Sequence, residues 1–211
     1  MTGPAKRAVA VLISGRGSNM DALITAAAQR DYPARIALVL SNKPDAAGIA
    51  RAAGLGIATD VVDHKPYNGD RAAHEAAVDA VLRRHGIEIV CLAGYMRLLT
   101  PFLVRAWQGR MLNIHPSLLP AFPGLHTHER ALEAGVKLHG CTVHLVSEGM
   151  DEGPIMAQAA VPVLADDTAD ALGARVLCQE HRIYPAALRA LALGQQGAGP
   201  DENAALLNPA A

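Results

Sequence analysis

The sequence predicts an α/β protein, a Rossmann-like, mostly parallel sheet flanked by helices, with an antiparallel portion toward the C-terminus. Three observations carry this. Short continuous apolar runs alternate with helix-like segments through the first half of the chain, and strands buried on both faces of a parallel sheet read that way. The first run, AVAVLI at 8–13, opens directly into a glycine turn, SGRGSN at 14–19. Two long strand-like segments then flank the loop at 149–153 with no helix between them, and so short a connection joins only antiparallel strands.

In order, the apolar run at 8–13 is the first strand and 19–29 the first helix. RIALVL at 35–40 is the second strand, and 44–53 a short helix closed by Gly54. A third strand is expected at 57–62, followed by a helix of about four turns at 70–85 that ends at Gly86. IEIVCL at 87–92 is the fourth strand, stopping at Ala93-Gly94. A short helix near 101–107 leads to a strand at 111–115, and 127–134 reads as a helix ended by Gly135. The alternating HGCTVHLV at 139–146 suits a long strand, 154–163 a further one, and 168–193 a long helix bent near Pro185. No internal repeat or linker divides residues 1–194, which we expect to form one domain. Residues 195–211 lack periodicity and read as a flexible tail.

The chain has 211 residues, 51% of them apolar, enough for a substantial core. A net charge of -1 and 3% aromatic residues leave neither the basic face nor the stacking platforms that nucleic-acid binding needs. Charge, glycine or proline interrupts every apolar stretch, so no membrane span or signal peptide is expected. Cys91, Cys141 and Cys178 lie far apart within apolar stretches, as buried free thiols in the reducing cytoplasm would.

The chemistry concentrates at NIHPSLLP, 113–120. If 111–115 is a strand, Asn113 and His115 point to one face, setting an amide beside a titratable imidazole. Pro116 and Pro120 then turn the chain into a fixed loop. An amide that can hold an oxyanion beside a group that moves a proton suits acyl or formyl transfer. The loop SEGMDEGP at 147–154 carries three acids and is either a solvated hairpin or the source of a carboxylate for His115. Asp151 is the best placed of the three.

The glycine turn, Gly15, Gly17, Ser18 and Asn19, is either a tight strand-to-helix turn or an anion cradle at a helix N-terminus. Met20 stands where a dinucleotide fingerprint has its third glycine, and Ser41-Asn42-Lys43 where its ribose-binding acid would be. A single phosphate fits better than a dinucleotide. Arg16 either adds charge there or faces solvent. His126-Thr127-His128 is a weak metal pattern with nothing to complete it, and we assign no metal. Gln179-Glu180-His181 offers an acid either to a ligand amine or to solvent.

Six segments together resemble one family. LISGRGSNM, LSNKPDA, LAGYMRLLTP, LNIHPSLLPAFPGLHTHERAL, GCTVHLVSEGMDEGPI and QEHRIYP follow one another as in the phosphoribosylglycinamide formyltransferases, over about residues 9–193. The resemblance implies the formyltransferase fold and transfer of a formyl group from 10-formyltetrahydrofolate, a co-substrate, to the amine of 5'-phosphoribosylglycinamide in purine biosynthesis. It implies no tightly bound cofactor and no metal, small-molecule partners only, no nucleic acid or membrane, a monomer or homodimer, and a cytoplasmic location. It puts Asn113, His115 and Asp151 at the catalytic positions. Gly15, Gly17, Ser18 and Asn19 fall at the phosphate, and Glu180 at the substrate amine. Arg71, Met96, Arg97, Leu98, Leu99, Asn113, Val146 and Asp151 fall at the folate, with Arg71 in surroundings (YNGDRAAHE) that depart from the family.

Related readings are less apt. Methionyl-tRNA formyltransferase has an Arg-Gly-Ala stretch where this chain reads Pro123-Gly124-Leu125-His126-Thr127-His128, and adds a C-terminal domain. Formyltetrahydrofolate deformylase adds an N-terminal one. A non-catalytic nucleotide-binding module would explain the glycine turn but leave Asn113, His115 and Asp151 without a purpose.

Overall fold

The structure, a computed structural model, describes residues 5–195. The chain divides into two compact units, Met1–Asn113 and Ile114–Ala211. The expected tail lies, apart from Gln195, outside the described residues.

The first unit alternates strand and helix as anticipated: β1 (Arg7–Ile13), α1 (Ser18–Ala27), β2 (Ala34–Ser41), α2 (Ala47–Gly54), β3 (Thr59–Val61), α3 (Arg71–Arg84), β4 (Ile89–Leu92), α4 (Pro101–Ala106) and β5 (Met111–His115), whose last two residues enter the second unit. The strand order is β3-β2-β1-β4-β5, and every pairing among them is parallel. Val9 to Ile13 are wholly buried and Leu38 to Leu40 likewise, which explains continuous apolar runs in place of alternation. The order reverses between β1 and β4, so the turns leaving their C-terminal ends lie at the sheet's switch point, where α/β folds bind ligands.

Several boundaries differ from expectation. The second helix starts at Ala47, because Pro44 to Ala46 form a turn whose Ala46 is in extended conformation. The third strand shortens to three residues, and a 3-10 turn, Lys65–Tyr67, was not foreseen. Asp70 caps α3 by accepting from Ala73 N, and Gly86 ends the segment at positive φ. Buried polar groups on α3 are satisfied in place. Asp79 accepts from Trp107 Nε1 at 2.9 Å and Arg83 Nε at 2.7 Å, and Glu75 accepts from Thr100 N at 2.7 Å.

The second unit contains the end of β5, α5 (Thr127–Glu133), β6 (Leu138–Leu145), β7 (Ile155–Pro162) and α6 (Ala169–Ala192), with strand order β5-β6-β7. β6 and β7 pair antiparallel, as expected, with a bulge between Val143 and His144. Gly153 sits where a Cβ would lie 1.6 Å from the Leu145 carbonyl oxygen, so only glycine lets the hairpin close there. Thr168 caps α6, which packs on both strands and stays helical through Pro185. Its buried residues Leu172, Val176, Glu180, Tyr184 and Leu188 recur every fourth position. The expectation of three buried thiols is corrected by Cys178, which is exposed on this helix, while Cys91 and Cys141 are buried.

Candidate functional site

β5 places Asn113 and His115 two residues apart on one strand, hence on one face. Asn113 is half-buried and His115 buried. The loop after β6 brings Asp151 to the imidazole. Asp151 Oδ2 lies 3.4 Å from His115 Nδ1, with both side chains nearly enclosed. Of the two sequence readings of the 147–154 loop, the solvated hairpin therefore fails for Asp151.

The carboxylate is held from three sides. Oδ2 also accepts from Gly124 N at 3.0 Å, and Oδ1 lies 3.7 Å from His144 Nε2, an ion-pair distance rather than a hydrogen bond. Asp151 itself adopts φ 57°, a left-handed conformation uncommon for a non-glycine residue and found often at functional sites. Burial by itself would raise its pKa. The His144 imidazole, the Gly124 N–H and the His115 ring outweigh that and hold the carboxyl below its ordinary value, so it is a carboxylate at neutral pH.

Both imidazoles beside Asp151 have their second nitrogen on a carbonyl. His115 Nε2 is 3.0 Å from Phe122 O, and His144 Nδ1 is 3.0 Å from Leu145 O. Each ring thus meets an acceptor at both nitrogens, a carbonyl at one and the Asp151 carboxylate at the other, which a ring carrying both N–H groups satisfies. His144 is the residue of this cluster that sequence reasoning missed. The bulge at Val143/His144 aims it, and no local sequence signal announces a bulge.

The other histidines separate by burial. His126 is exposed and pairs with Glu129 at 3.5 Å, while His128 Nδ1 meets the buried His139 Nε2 at 3.1 Å, so the two members of the His-x-His pattern diverge. Burial lowers both His128 and His139, and the mutual proximity of the pair adds to this for His139, which falls to about 4.

In the first unit, the glycine turn follows β1. Gly17 is the N-cap of α1 at φ 76°, and a Cβ there would meet the Met20 methyl at 3.1 Å, so this position requires glycine. Gly15 and Arg16 are exposed, Gly17 and Ser18 half-buried, and Asn19 buried. The turn is braced from α2: Gly48 N donates to Gly15 O at 3.1 Å, and the Arg51 guanidinium bonds Arg16 O and pairs with Asp21 at 2.7 Å. Arg16 thus contributes a carbonyl to the brace while its side chain faces solvent. At the switch point Ser14 N donates to Gly94 O at 3.1 Å and Met96 N to Ser14 Oγ at 2.8 Å, tying this turn to the segment after β4.

In that segment Met96 and Leu98 are exposed to 66% and 60%, large values for apolar side chains, with Arg97 and Leu99 half-buried. Arg71 is exposed at the first position of α3. In the second unit Val146 is half-buried beyond β6, and Glu180 is buried in the apolar stripe of α6, facing the protein and not solvent. The every-fourth-residue stripe through 172–188 could have revealed that burial.

A glycine turn at the switch point of a parallel sheet and, in the second unit, an imidazole backed by a carboxylate are features that suit the class of group-transferring α/β enzymes. The chain belongs to the formyl transferase family, whose sequence profile matches residues 7–188. It is 46% identical over 177 residues to phosphoribosylglycinamide formyltransferase of Escherichia coli, covering 84% of this chain and 83% of that protein. It is also 51% identical over 191 residues to the trifunctional purine biosynthetic protein adenosine-3 of Bos taurus, covering 90% of this chain but spanning only 19% of that relative's length. Among solved structures, phosphoribosylglycinamide formyltransferase from Brucella melitensis superposes with a TM-score of 0.85 at 57% identity, over 90% of this chain and 97% of the other.

Proposed function

We propose that the protein transfers the formyl group of 10-formyltetrahydrofolate to the amine of 5'-phosphoribosylglycinamide, giving 5'-phosphoribosyl-N-formylglycinamide. The observation that carries this is the Asp151 carboxylate 3.4 Å from His115, on the strand that also presents Asn113. The near full-length likeness to relatives named for this reaction favours it over deformylation or formylation of a tRNA.

The substrate amine attacks the formyl carbon and a tetrahedral oxyanion forms. Asn113 donates its amide N–H to that oxygen. His115, protonated and held by Asp151, donates a hydrogen bond to the same oxygen, and its positive charge stabilises the oxyanion. The bond from carbon to N10 then breaks. One proton leaves the attacking amine and one arrives at N10, and we assign this exchange to Asp151 and His115 jointly. Gly15, Gly17, Ser18 and Asn19 receive the phosphate, a role supported by the switch-point turn and the N-terminus of α1. Glu180, buried on α6, receives the amine, as the family resemblance implies. Met96, Arg97, Leu98, Leu99 and Val146 line the folate side, supported by the exposed apolar Met96 and Leu98, with Arg71 at the folate's carboxylate end. The folate is a co-substrate and no bound cofactor enters these steps. The reading also carries a cytoplasmic location and action as a monomer or homodimer on small molecules alone.

The test is formyl transfer by the wild type beside Asp151→Asn and His115→Ala. We expect wild-type turnover with kcat lowered on the order of 100-fold or more in each variant. Variants that match the wild type would remove Asp151 and His115 from the chemistry.

A further inference from the structure

The turn that follows His115 is held by a side chain to which no role has yet been assigned. Thr142, on β6, is wholly buried, and its hydroxyl makes every hydrogen bond a hydroxyl can make. Thr142 Oγ1 donates to Ser117 O at 2.7 Å and accepts from Leu119 N at 3.0 Å and from Gln158 Nε2 at 3.0 Å. Gln158, the cross-strand partner of Thr142 on β7, sends its other amide hydrogen to Leu119 O at 2.9 Å. From this hub the constraint runs to the imidazole. Ser117 N donates to His115 O at 2.9 Å, and Ser117 Oγ donates to Ala121 O at 2.7 Å. The next residue, Phe122, is fixed at φ 52°, and its carbonyl is the one that receives His115 Nε2.

We propose that Thr142, seconded by Gln158, is a positioning residue for His115. It fixes the turn whose Phe122 carbonyl meets His115 Nε2, and so sets the ring orientation that turns Nδ1 toward Asp151. A loop carrying two prolines would hold its shape without help. Its placement against the β6–β7 hairpin, however, rests on the Thr142 hydroxyl, which pairs the Ser117 carbonyl and the Leu119 N–H, and on the Gln158 amide at Leu119 O. The inference rests on the formyl-transfer reading of His115.

The test uses Thr142→Val, which keeps the shape and removes the hydroxyl, and Thr142→Ser, which keeps all three bonds. Gln158→Glu is a second probe, since it replaces two donors with acceptors facing Leu119 O and Thr142. Displacing a reacting group by about 1 Å costs on the order of 100-fold. We therefore expect kcat for Thr142→Val to fall about 10- to 100-fold, with KM for both substrates within about threefold and recovery in Thr142→Ser. Gln158→Glu should fall in the same direction. If Thr142→Val melts lower yet keeps wild-type kcat at a temperature where it is folded, the hydroxyl is structural only and the inference fails. If Thr142→Val does not fold, Gln158→Glu decides it: wild-type kcat in that folded variant overturns the proposal and a lowered kcat at unchanged KM upholds it. A wild type that transfers no formyl group would instead overturn the reading beneath it.

Discussion

Asp151 shows how a residue's work is set by what surrounds it. In the sequence it is one of three acids in a glycine-bracketed loop. In the fold it alone faces His115, His144 and the Gly124 N–H, while Glu152 stays exposed. Asn113 and His115 were legible because strand periodicity alone sets them on one face. His144 was not, because its aim depends on a bulge created by the opposing strand. The buried His139, paired with the half-buried His128, leads to a pH dependence that can be signed. His139 titrates near 4 in the fold against about 6.5 in an unfolded chain, so between these values only the unfolded state takes the proton. Its contribution to stability is whole above about pH 6.5, fades as pH falls toward 4, and changes no further below that, amounting to about 3 kcal/mol. Urea unfolding at pH 7.5 and pH 5 should show a larger loss in the wild type than in His139→Gln, and equal losses would contradict the account.

At the scale of elements, alternation of apolar runs and helices located every strand and α-helix among the described residues, with ends that moved by three residues at most. The largest shift, at α2, follows from Pro44 to Ala46 forming a turn where helix propensity alone read a first turn. The β6–β7 hairpin, which delivers both Asp151 and His144, depends on the close approach at Gly153. A Cβ there would sit 1.6 Å from the Leu145 carbonyl oxygen, with the His144 ring 3.3 Å away. Gly153→Ala should therefore lower stability by about 2 kcal/mol or more, as overpacking does, and reduce turnover by shifting His144 and Asp151 together. Chemical denaturation with a parallel rate measurement would check this, and an alanine variant with both values unchanged would contradict the hairpin geometry. Gly17 illustrates the same dependence in the first unit, where a positive φ adds to the close approach of Met20.

For the whole molecule, the sequence yields an α/β sheet with a parallel first part and an antiparallel last part, and the structure bears this out. Exposure of Cys178 was misjudged and burial of Glu180 left open for one reason, since both depend on which side of α6 faces β6 and β7. Among the described residues no helix is long and apolar enough to cross a membrane. The formyl transferase family match and the near full-length likeness to the Escherichia coli protein converge with the Asn113–His115–Asp151 arrangement on one reaction. The most direct measurement follows folate absorbance with 10-formyltetrahydrofolate present, before and after adding 5'-phosphoribosylglycinamide, and quantifies the formylated product. The account predicts no folate consumption without the ribonucleotide, and one formylated product per folate released once it is present. Folate consumed at the same rate without the ribonucleotide, yielding formate, would contradict transfer and make the protein a hydrolase.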